Sequence, residues 1–151
     1  MRAAVAALVA LATCSATGGC ESGAEKVAEK QLASSQRQLQ CTSTAKAVSL
    51  PSAGVPARLP LPPKAVLFHV DDRGKDGLVL SAVTAAPFKD VLAAMNAGYS
   101  GDGFRITDGE TEKHDAEANW TAGGYRGRWA IREIASQCPG DTLVAVLVSQ
   151  G

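Results

Sequence analysis

At 151 residues with a formal net charge of zero, the chain has the size of a single domain and no basic excess. That composition excludes the usual footprint of a nucleic-acid binder and gives no support to cationic membrane binding. With four cysteines, the chain can be read through the fate of each one.

Met1 and Arg2 precede an uncharged apolar run over residues 3–12. A short positive start and an apolar stretch of about 7–15 residues are the pattern of an export signal. The run is too short for a mature transmembrane helix, which needs about 20 apolar residues. Small residues Ser15, Ala16, Thr17, Gly18 and Gly19 then lead into Cys20, so residues 1–19 are expected to be a signal peptide.

Thr17-Gly18-Gly19-Cys20 resembles a bacterial lipobox, with Thr17 standing where an aliphatic residue is usual. Leu11-Ala12-Thr13-Cys14 is a second candidate, with Thr13 beside the cysteine instead of a smaller residue. The resemblance implies acylation of the cysteine and attachment to the outer face of the cytoplasmic membrane. Acylation at Cys20 leaves Cys41 and Cys138, an even pair, whereas Cys14 or ordinary cleavage leaves three cysteines. Cys20 is therefore the expected lipidation site, with Cys14 and free secretion as alternatives. Stable attachment takes two acyl chains.

Residues 20–63 read as a tether. Up to Gln40 it is polar, and Val27, Leu32 and Leu39 are too sparse for a continuous apolar stripe. A nascent helix or a solvated chain is expected there. Pro51, Pro56, Pro60, Pro62 and Pro63 make the next stretch extended, because proline fixes its own φ and restricts the residue before it. Cys41 and Cys138 are the expected disulfide: distant cysteines in an exported chain are more often structural than catalytic. Neither belongs to a CxxC pair or has a histidine at ligand spacing, so no metal or other cofactor is expected.

Residues 64–151 form the expected domain. A strand over 65–72, a turn at 73–77 and a strand over 78–85 predict a hairpin. Pro87 opens a helix whose Phe88, Val91, Leu92, Met95 and Tyr99 share one face. Gly98 is expected to end it in the left-handed conformation. A third strand covers 104–107. If Gly123-Gly124 is a two-residue turn, Asp115, Glu117, Asn119 and Thr121 face Arg132, Ala130, Arg128 and Arg126. Ala116, Ala118 and Trp120 then face Ile131, Trp129 and Gly127. A one-residue slip would bury the arginines, so the register is well specified. Residues 142–148 are apolar on both faces and belong at the centre of a sheet. The fold expected is α+β: one antiparallel sheet of about six strands, in chain order β-β-α-β-β-β-β, with one helix across one face.

No motif carries strong catalytic chemistry. His69 and His114 have aspartates beside them, and Ser81 and Ser100 are nucleophiles by residue type alone; a catalytic set needs hydrogen-bond geometry. Asp71, Asp72 and Asp76 lack the alternating spacing of a calcium loop and suit a turn. Arg126, Arg128 and Arg132 share the polar face of one strand and form a candidate anion-binding ridge. The plan as a whole resembles the small uncharacterised lipoproteins of high-GC, actinobacterial-type bacteria. The likeness lies in the Cys20 region, the polar tether, Pro60-Leu61-Pro62-Pro63 and the helix leading into Gly98-Tyr99. It implies location, not activity. The function expected is a non-catalytic binding or accessory module of the cell envelope, with another envelope protein or an acidic wall polymer as partner. A small extracytoplasmic hydrolase using His69 or His114 is the alternative.

Overall fold

The last strand organises the architecture, because it is apolar on both faces and can only sit where both are covered. The computed structural model describes residues 23–151, with side chains from Lys30 onward. The signal segment, Cys14 and Cys20 lie outside the described residues. Two α-helices and six strands follow in chain order: α1 (Gly23–Arg37), β1 (Val66–Asp72), β2 (Leu78–Thr84), α2 (Phe88–Gly98), β3 (Phe104–Thr111), β4 (Asp115–Ala122), β5 (Tyr125–Glu133) and β6 (Thr142–Gln150). The strands make one open sheet in the order β1-β2-β6-β5-β4-β3, antiparallel throughout. The α+β class and the strand-helix order are those read from the residues. β6 lies at the centre, between β2 and β5, as its two-sided apolar pattern requires.

One face of the sheet carries the larger core. Leu80, Ala82, Trp120, Trp129, Ile131, Val144 and Val146 meet Val91, Met95 and Tyr99 from the α2 side. Val55 and Leu59 of the proline-rich stretch complete this layer, so that stretch drapes over the domain and shares its core. Tyr99 is fully buried among Phe104, Trp120 and Trp129, with centroids 5.2, 5.3 and 6.5 Å away. Its hydroxyl donates to the Pro60 carbonyl at 3.1 Å, and burial pushes the phenol pKa up.

Gly98 differs from expectation: it is absent from the positive-φ positions, and the helix ends through Tyr99 at φ −91°. What requires glycine is close approach, since a Cβ there would sit 2.7 Å from the Pro60 Cβ. Gly98→Ala should therefore destabilise the domain by about 1–3 kcal/mol in a urea titration, by pushing the strap off the helix end.

The opposite face holds a second helix, formed by residues 23–37, where a nascent helix or a solvated chain was expected; what the sparse stripe did not suggest is that it docks on the sheet. α1 lies across β5 and β6 and reaches β2. Leu32 is buried against Phe68, Val83, Ala130, Leu143 and Ala145, worth about 2 kcal/mol by the transfer of one leucine. The other described contacts of the helix are polar. Gln31 is buried and donates Nε2–H to the Arg128 carbonyl at 3.3 Å, and buried Ser35 shares a 2.7 Å hydrogen bond with Ser81. The Arg73 guanidinium donates to the Ser34 hydroxyl at 3.2 Å.

Beyond α1, Leu39, Cys41 and Ala45 close the same layer against Ile134 and Cys138. Cys41 and Cys138 form the expected disulfide, with Cα atoms 5.4 Å apart and a sequence separation of 97. Next to it the Thr42 amide donates to the Asp141 carboxylate at 2.7 Å.

Candidate binding face

The β4–β5 hairpin places the arginines. Gly123 and Gly124 take φ of 49° and 86°, the left-handed values that a two-residue turn of this hand needs. The turn sets the register that the residues predict: Asp115↔Arg132, Asn119↔Arg128 and Thr121↔Arg126 on one face, Ala118↔Trp129 and Trp120↔Gly127 on the other. Gly127 is obligatory there, because a Cβ would stand 2.0 Å from the Leu147 carbonyl oxygen and 2.6 Å from the Trp120 ring.

The three arginines do not form a uniform ridge. Arg128 is 4% exposed; its Nε donates to Asn119 Oδ1 at 2.9 Å, and its terminal nitrogen is bound to the Glu117 carboxylate. Asn119 in turn donates to Asp108 Oδ1 at 2.6 Å, so a chain of polar side chains crosses from β5 to β3. Arg132 is half-buried and ion-paired with Asp115 at 2.9 Å. Arg126 is exposed and makes no ion pair among the described residues.

One side chain of this face is not among the candidates read from the sequence. Arg105 on β3 lies opposite Thr121, and Thr121 lies opposite Arg126, which in turn lies opposite Ser149. Two exposed arginines thus flank a threonine in one row across the strands, their Cα atoms roughly 10 Å apart by two strand spacings. The strand was expected to end at residue 107, since Asp108 and Gly109 are turn formers, yet it runs to Thr111 along β4. The alternating Ala116, Ala118 and Trp120, which need a paired neighbour to stay covered, were the available signal.

Neither histidine is hydrogen-bonded to a nucleophile among the described residues. His69 sits opposite Ser81 in the β1–β2 register, but no hydrogen bond joins them among the described residues, and the Ser81 hydroxyl is engaged by Ser35. His114 Nδ1 lies 2.6 Å from Glu133 Oε2 in a solvent-facing pair. Ser100 is exposed after α2. Asp71 binds the Arg73 guanidinium at 2.9 Å, and Asp72 accepts the Gly74 amide at 2.8 Å, so these carboxylates stabilise their own turn. Asp141 and the two bridge sulfurs lie within 4.8 Å of one another. A disulfide has no thiolate to give a metal.

Comparison with protein-family models, with curated proteins and with solved structures finds no match for the chain. The functional reading therefore rests on the molecule's own geometry. Its most prominent polar feature is the face of β3, β4 and β5 beside α1, where cross-strand pairs hold the side chains in place and leave Arg105 and Arg126 at the margin.

Proposed function

We propose that the protein is an exported lipoprotein, acylated at Cys20 and held on the outer face of the cytoplasmic membrane. Its domain serves there as a non-catalytic binding or accessory module of the envelope. The partner is another envelope protein or an acidic wall polymer, met on the β3–β5 face. The observation that supports this reading is a polar face beside α1, cross-linked and half-buried at Glu117 and Asn119, with exposed Arg126 at its margin. Side chains already fixed by Asn119, Glu117 and Asp108 lose little further freedom when a ligand arrives. A free arginine beside threonine and serine hydroxyls suits an oxyanion. The hydrolase alternative would require His69 or His114 to hold a nucleophile, and neither is hydrogen-bonded to one among the described residues.

Docking of α1 also revises the geometry of the anchor. Cys20 lies three residues before Gly23, where the helix begins. An acyl group at Cys20 would therefore hold the sheet close to the bilayer instead of at the end of a long free chain. Among the described residues no helix is long and apolar enough to cross a membrane.

Two measurements check the proposal. Intact mass of the protein extracted from bacterial membranes should begin at an acylated Cys20; a species without acyl mass would remove the anchor. Arg126→Glu should lower retention on a polyanion column at low salt, with the effect fading as salt screens it. Unchanged retention would remove the anion-binding face while leaving the anchor standing. Arg126 is the informative position, since Arg128 is committed to Asn119 and Glu117 and its loss would disturb the fold.

A further inference from the structure

The two edges of the sheet are finished differently. Both edge strands carry a bulge, but the outer side of β1 is crossed by the preceding chain, with the Val48 amide donating to the Leu67 carbonyl at 2.8 Å. Among the described residues β3 has no such cover. Apart from its ladder with β4, the only backbone bond it makes among the described residues runs from the Phe104 amide to Gly101 at 3.0 Å. Arg105 and Glu110 on this strand are exposed and form no ion pair among the described residues. An uncovered edge strand of eight residues is a template for another strand.

We propose that the protein forms a symmetric dimer by antiparallel pairing of β3 with β3 of a second copy. The strand is complementary to itself in charge. In the register that uses all eight residues, Phe104 faces Thr111, Arg105 faces Glu110, Ile106 faces Gly109 and Thr107 faces Asp108 of the other copy. The twofold axis generates each of these contacts twice. Arg105 and Glu110 lie on the same face of the sheet, since their β4 partners are Thr121 and Glu117, two positions of matching parity. The opposite charges therefore meet on one side of the joined sheet, as favourable cross-strand pairs do. Ile106 and Gly109 lie together on the α2 side, opposite Trp120 and Ala118 in their own chain, which gives the larger side chain room over the glycine of the copy.

Continuing the register past the strand ends sets Asp102 against Lys113, a further opposite pair. The bulge at Thr107 falls at the twofold centre, so the ladder on either side of it stays in step. A formal net charge of zero leaves no long-range repulsion between copies. Because the β1 edge is crossed at Val48, the pairing closes at two copies instead of propagating as a fibre.

Strand pairing alone buries less than the standard interface of about 1,200–2,000 Å², so the dimer is weak, with Kd roughly micromolar to millimolar. The pairing engages Arg105 but leaves Arg126 outside the contact, so Arg126→Glu tests the anion-binding reading without touching the pairing.

Sedimentation velocity of the purified protein over a concentration series tests the pairing. The parent should pass from monomer to dimer; a protein that stays monomeric through the millimolar range overturns the proposal. Arg105→Glu and Glu110→Arg should each weaken self-association by about tenfold or more, because like charges then face each other twice. Mixed together, the two variants should associate one to one. The introduced glutamate of one chain then meets the introduced arginine of the other, and the retained Glu110 of the first meets the retained Arg105 of the second. The doubly exchanged chain, Arg105→Glu with Glu110→Arg, should dimerise like the parent. Failure of both the mixture and the double variant to associate, with their unfolding midpoints unchanged, overturns the register.

Discussion

Replacing Cys41 and Cys138 together with alanine should lower the free energy of unfolding by about 4 kcal/mol in a urea titration. The bridge closes a loop with a sequence separation of 97, and in the chain-entropy account a loop of about 100 residues is worth up to ~4.7 kcal/mol. A domain this small has little to spare, because stability runs at roughly 0.05–0.15 kcal/mol per residue. The loss should also have a location. The bridge joins the chain just beyond α1 to the loop before β6, and the described side chains of α1 dock through one buried leucine and a few polar contacts. Amide exchange of α1 should therefore accelerate more than that of β5 and β6 when the bridge is removed. Equal acceleration everywhere would mean that α1 opens only when the whole domain unfolds.

Arg128→Met should cost about 3–5 kcal/mol, far more than a surface arginine, because breaking a buried pair withdraws the compensating charge from its partner. Arg128 is almost wholly buried, and its side chain binds both Asn119 and Glu117. Glu117 is 19% exposed in its side chain, so water relieves some of the loss and the lower end of the range is expected. Glu117→Gln in the Arg128→Met background removes the stranded charge and should recover a measurable part of the stability. A double-mutant cycle reads this directly, with a coupling of about 0.5–3 kcal/mol between the two sites. A cycle that closes at zero would show that the pair contributes nothing beyond its separate contacts.

The hairpin of β4 and β5 was legible because two independent signals agreed on it. A Gly-Gly turn and a strict period of two each specified the same register, and a slip would have reversed every side chain. β6 was legible for a simpler reason: seven apolar or β-branched residues in a row leave no polar side to turn towards water. The docking of α1 was not legible in this way. Its buried positions include Gln31 and Ser35, which look solvated in sequence and become acceptable inside only because Arg128 and Ser81 supply partners from distant strands. The length of β3 was hidden likewise, since Asp108 and Gly109 oppose a strand on local preference and pairing with β4 overrides it. For the candidate face, residue order alone put Asn119 opposite Arg128. What it did not show was that the arginine turns inward to Glu117, or that Arg105 joins the row from a strand thought to be shorter.

The position of β6 bears on how the chain reaches its fold. The last strand of the domain is the one that joins the β1–β2 hairpin to the β3–β4–β5 meander, pairing with β2 on one side and β5 on the other. Until its residues are available, the two parts have no common sheet and Val79 and Leu80 of β2 lack their neighbours. Pairs between β2 and β6 are as distant in the chain as Leu78 and Val148, so loop closure must precede the pairing that rewards it, and folding is slowed accordingly. A chain cut before residue 142 should not yield a smaller domain. A growing chain should likewise stay open until that strand emerges, when the sheet can assemble in one cooperative step.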